Sequence, residues 1–80
     1  MIEPKPNETY EHFKGGIYEI ITVARDSEDP ERKFVIYKVL YRSVYGAQFP
    51  IGTTWSRSLE DFVGFKELEG KKVKRFTKIQ

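Results

Sequence analysis

Two consecutive glycines, Gly15 and Gly16, separate an aromatic-basic segment from a run of strand-forming residues. The stretch reads Tyr10-Glu-His-Phe-Lys-Gly-Gly-Ile-Tyr-Glu-Ile-Ile-Thr-Val-Ala. Glycine accepts positive φ without a Cβ penalty, so the pair can reverse the backbone sharply. Such a reversal folds Tyr10, His12 and Phe13 back over the start of a sheet. It constrains the architecture strongly and the chemistry weakly.

The remaining pattern is that of short strands. Ile17 to Arg25 forms the first, with Tyr18, Ile20, Thr22 and Ala24 on one face and Ile17, Ile21 and Val23 on the other. Apolar residues on both faces indicate a strand covered on its outer side or wrapped into a barrel. The polar, proline-containing segment 26–31 is a hairpin loop. Phe34 to Tyr41 is rich in β-branched and aromatic residues and predicts a central strand, with Val35, Tyr37, Val39 and Tyr41 on one face. Arg42 to Pro50 predicts a turn around Gly46. Thr53 to Arg57 is a short third strand anchored by Trp55. Ser58 then caps a helical turn with Leu59 and Phe62 on one side, plugging the sheet. Val63 to Leu68 and Lys72 to Lys78 complete five strands around a Glu69-Gly70 turn.

Eighty residues hold one small domain. Residues 1–8, with Pro4 and Pro6, are a flexible lead-in, and residues 9–80 are the domain. The expected fold is all-β: a five-stranded antiparallel meander curled into an SH3-like barrel, with one short helical turn. An open sheet covered by a helix is the alternative, but no long amphipathic helix is present to cover it. Six Phe, five Tyr and one Trp must supply much of the core, because there is no cysteine for a disulfide. No apolar run reaches the roughly 18 residues of a membrane helix. The first residues lack the apolar centre of a secretory signal. A cytoplasmic protein is therefore expected.

The pattern of Tyr10-Glu-His-Phe-Lys-Gly-Gly-Ile-Tyr-Glu-Ile, Val23-Ala-Arg, Val35-Ile-Tyr, Leu40-Tyr, Trp55-Ser-Arg, Phe62 and Val73-Lys-Arg-Phe is familiar as a whole. It resembles the small bacterial family catalogued as domain of unknown function sixteen-fifty-three, over about residues 9–76. The chain departs from that pattern at Asp26 and Ser58, where the family often carries His and Pro. The resemblance implies a fold and a bacterial cytoplasmic setting. It brings no catalytic residue with it.

Candidate sites follow from residue chemistry. His12, the single histidine, can act as a base or a ligand donor, or can lock the N-terminal segment to a strand. Lys14-Gly15-Gly16 does not fit a phosphate loop, since the glycines precede a strand and not a helix. The acidic loop of Asp26, Glu28, Asp29 and Glu31 lacks the central glycine of a calcium loop. Trp55 and Arg57, two apart on a strand, can stack a flat ligand and hold an anion, or can be a core ring and a tied cation. Lys71, Lys72, Lys74, Arg75 and Lys78 form a basic strand, suited to protecting an edge or to tracking phosphates. Net charge is +2, but residues 32–80 carry eleven basic and four acidic groups, a net of +7.

No nucleophile–base set, metal cluster or cofactor loop can be assembled. The expectation is a non-catalytic binding module without cofactor or metal, for a small anionic or aromatic ligand or a protein partner. Its candidate surface is Tyr10, His12, Lys14, Tyr41, Trp55 and Arg57. Single-stranded nucleic acid on the basic strand is the first alternative, and an enzyme centred on His12 the second.

Overall fold

The computed structural model describes residues 3–41 and 49–80. It contains strands β1 (Thr9–His12), β2 (Ile17–Arg25), β3 (Lys33–Tyr41) and β4 (Thr54–Ser58), helix α1 (Leu59–Phe62), and strands β5 (Phe65–Leu68), β6 (Lys71–Lys74) and β7 (Phe76–Lys78). The expected turn around Gly46 lies outside the described residues.

Five strands form one antiparallel sheet in the order β4-β3-β2-β1-β7, and β5 and β6 form a separate hairpin. The all-β class, the antiparallel five-stranded sheet and the short helix agree with the sequence reading. The sequential meander does not. The segment before the twin glycines is a strand in its own right, lying between β2 and β7. The expected single strand Lys72–Lys78 is two strands broken at Arg75: β6 pairs back onto β5, while β7 crosses to β1. Arg75 donates its N–H to the Gly64 carbonyl, and its own carbonyl accepts from the Phe13 N–H. Those bonds extend the β5–β6 and β1–β7 pairings by one step each, so Arg75 is the joint between them.

The sheet curls strongly. Were it flat, the edge strands β4 and β7 would lie about 19 Å apart, four strand spacings. Yet the Arg57 guanidinium of β4 sits 5.7 Å from the ring centroid of Phe76 on β7. Pairing between those two edges, which would close a barrel, is not found among the described residues.

Part of the curvature comes from register shifts in β2. Ile20 pairs with Tyr37 and Thr22 with Ile36, so Ile21 is the extra residue of a bulge. The bulge corrects the expected face assignment. Tyr18 and Ile20 face inward, Ile21 is exposed, and Val23, not Thr22, returns to the core. A one-residue insertion exchanges the two faces because the side-chain period is two.

The core fills the concave side. Ile20, Val35, Tyr37, Phe62 and Phe76 are buried together, with Tyr10, Tyr18, Trp55, Leu59 and Val63 packed around them. Helix α1 supplies the plug. Ser58 Oγ accepts the Asp61 N–H at 3.2 Å, as a capping serine should. Phe62 then stacks on Phe76 with centroids 4.0 Å apart and planes 9° from parallel. Residues before β1 are held against the sheet: Asn7 donates its N–H to Ile20 O, Lys33 pairs with Glu3, and Pro4 is buried.

Candidate functional site

The twin glycines place His12. Gly15 and Gly16 have φ of 89° and 82°. The reversal closes with Gly15 N–H donating to His12 O at 2.8 Å and His12 N–H donating to Gly16 O at 3.0 Å. Phe13 N–H is anchored on Arg75 O, which docks the turn on the β6–β7 junction. A Cβ on Gly16 would stand 3.3 Å from the Tyr18 ring, so the absence of a side chain lets that ring lie close over the turn.

His12 is half-buried at the end of β1. Its ring meets Phe13 at 4.6 Å, Phe76 at 4.9 Å and Tyr18 at 6.4 Å between centroids. Nδ1 accepts the Lys14 backbone N–H at 3.1 Å. In the neutral imidazole that bond leaves the proton on Nε2, which becomes a donor. Burial drives the His12 pKa down to about 4, and the positive charges of Arg57, Arg75 and Lys14 push the same way. The ring is neutral at physiological pH.

Arg57 approaches from the opposite edge of the curled sheet. Its Nε donates to the Tyr37 hydroxyl at 3.3 Å, while its guanidinium lies beside Phe76. Tyr37 and Tyr18 meet edge-to-face at 5.4 Å. The Tyr18 hydroxyl is held in its protonated form chiefly by burial. Arg75 donates from Nε to the Asp61 carbonyl oxygen at 3.1 Å, a neutral acceptor that leaves its charge uncompensated. None of Lys14, Arg57 and Arg75 forms a salt bridge among the described residues. Arg57, which the sequence allows to be a tied cation, is therefore paired with no carboxylate among the described residues.

His12, Lys14 and Arg57 thus gather at one corner. Trp55 shares the inward face of β4 with Arg57 and pairs in register with Tyr37. It packs against the core and meets Phe49 edge-to-face at 4.7 Å, so it is a wall and not a free stacking platform. Tyr10 belongs elsewhere. Its hydroxyl donates to Glu8 at 3.1 Å and its ring meets Phe62, on the far side of Phe76 from the Arg57 corner. Burial, reinforced by Glu8, lifts its pKa to about 12. Tyr41 stands at the end of β3, 67% exposed, with no ring or hydrogen-bond contact to the cluster among the described residues.

Sequence reasoning missed Tyr18, Tyr37, Arg75 and Phe76 as members of this corner. Their alternation with neighbouring residues was visible, but which strands sit side by side was not. The basic segment is also divided. Lys71, Lys72 and Lys74 lie on the hairpin, whereas the Arg75 side chain donates to the Asp61 carbonyl and Lys78 pairs with Glu8 at 3.1 Å. Among the described residues no three His, Asp or Glu side chains gather as a metal site. No helix among those residues is long and apolar enough to cross a membrane.

No curated protein and no solved structure matches the chain. The family described as "Protein of unknown function (DUF1653)" matches residues 8–78, which takes in all seven strands and the helix. The chain belongs to that family.

Proposed function

We propose that this protein is a non-catalytic binding module for a small anion, a phosphate or carboxylate carried on a flat ring. The observation that carries the reading is the meeting of Lys14, Arg57 and Arg75 around a neutral histidine, with no carboxylate paired to any of them among the described residues. Three like charges around one imidazole repel one another and are costly to keep without a counter-charge. A bound anion supplies that counter-charge. Arg57 offers the planar fork that matches phosphate or carboxylate oxygens. His12 Nε2–H and the Tyr18 hydroxyl add neutral donors, and the partly exposed rings of Phe13 and Tyr18 beside His12 suit a ring. An SH3-like arrangement of the strands accords with the two edges meeting through Arg57 and Phe76.

Titration with phenyl phosphate, followed by amide and imidazole NMR shifts, tests this. Saturable shifts centred on His12, Tyr18 and Arg57, lost in Arg57→Ala, are expected. Absence of shifts at millimolar phenyl phosphate, or identical shifts in Arg57→Ala, refutes the reading.

A further inference from the structure

The β5–β6 hairpin is almost wholly exposed, which is unusual for two strands in so small a domain. Its turn is tight: Glu69 and Gly70 both have positive φ, 52° and 77°, and Leu68 pairs with Lys71. Two central residues with positive φ make the turn whose twist matches paired strands. The hairpin is therefore a well-formed arm and not a frayed loop.

Cross-strand partners lie on the same face of a ladder. Phe65 pairs with Lys74 and Glu67 with Lys72, which puts Phe65, Lys72 and Lys74 together on one face. Phe65 is 59% exposed there, a large ring left in solvent beside Lys74, with Glu67 next to it on the same face of its own strand. Lys72 and Lys74 form no salt bridge among the described residues, even with Glu67 in register opposite Lys72. Lys74 also rims a cleft lined by Tyr10, Phe62, Val63 and Phe76, whose other side carries Lys78 paired with Glu8. The face of the arm thus runs into a cleft with aromatic walls.

We infer that the β5–β6 arm and the adjoining Tyr10 cleft form a binding track for single-stranded nucleic acid, with Phe65 as a base-stacking platform and Lys72 and Lys74 as phosphate contacts. An exposed ring beside cations is the pattern that single strands use, because every base offers a π-face and every nucleotide a charge. A protein partner would leave these lysines needing acidic counterparts of its own. Lysines that merely guard an edge would not require an exposed aromatic ring beside them. The track is distinct from the His12–Arg57 corner, so either assignment can fail without the other.

The test is fluorescence anisotropy of the whole protein with labelled 12-nucleotide oligo-U and oligo-dT, and with a 12-base-pair duplex, across a salt series. Two neutralised phosphates predict a log–log salt slope of about −1.4 for the single strands. Lys72→Gln with Lys74→Gln should bring the slope close to zero. Phe65→Ala should weaken binding about tenfold while leaving the slope unchanged. Phe65, Lys72 and Lys74 are all exposed, so these variants keep the fold, which circular dichroism verifies. Equal or tighter binding of the duplex, full-strength binding by Phe65→Ala, or no binding by 100 μM protein at low salt each overturns the inference.

Discussion

Acidification acts on this fold through one group that can be watched directly, since His12 is the only histidine in the chain. Burial and the neighbouring cations lower its pKa from 6.5 to about 4 in the folded protein. An unfolded chain carries His12 at its ordinary value, so between pH 6.5 and about 4 the unfolded state binds the extra proton. Stability from this group is complete above pH 6.5, falls as pH drops through that window, and levels off below the folded value. The full shift corresponds to about 3 kcal/mol, but the ring is partly open to water, and screening reduces the expected loss to about 1–2 kcal/mol. The assay is twofold. Imidazole carbon-bound proton shifts should titrate with a midpoint near 4 and stay flat from pH 5.5 to 8. Urea unfolding of wild type and His12→Gln at pH 7.5 and pH 4 should show wild type losing about 1–2 kcal/mol more than the variant, because the carboxylates titrate alike in both. Adding phenyl phosphate should move the wild-type midpoint upward, since an anion favours the imidazolium. A midpoint of 6 to 7 without ligand, or equal acid losses in the two proteins, would refute the buried-neutral account of His12.

Other substitutions probe the frame that holds this corner. Phe62 is 1% exposed and touches Tyr10, Tyr37 and Phe76, so Phe62→Ala should cost about 3–5 kcal/mol in chemical denaturation. That is a large share of the stability of so small a domain, and a loss below about 1 kcal/mol would contradict the plug. Gly64 and Gly70 should respond to alanine for different reasons. A Cβ at Gly64 would stand 2.9 Å from the Glu60 carbonyl oxygen, predicting a loss of about 1–3 kcal/mol from overpacking against backbone. At Gly70 a Cβ meets open space, and only its φ of 77° is penalised, at about 1 kcal/mol. Thermal unfolding of the two variants should rank them in that order.

Local chemistry was readable from residue order. The positive-φ reversal at Gly15-Gly16, the Glu69-Gly70 turn, the Ser58 cap and the alternation of Val35, Tyr37 and Val39 each depend on interactions within a few residues. Composition set the character of the core, because without cysteine the aromatic rings had to fill it. Pairing between distant segments was not readable. Nothing in Lys71 to Lys78 announces that Arg75 will divide the run and send Phe76 across to β1, since that break is set by the Arg75 N–H donating to Gly64 O and the Phe13 N–H donating to Arg75 O. Nor does Ile17 to Arg25 announce its bulge, which reassigns Ile21 and Val23 between faces. The candidate site depends on these non-local choices. His12 and Arg57 stand 45 positions apart in the chain and on different strands, with β2 and β3 between those strands. Only a sheet curled enough to bring β4 over β7 sets the Arg57 charge near the His12 ring, and sheet curvature is a property of the packed molecule.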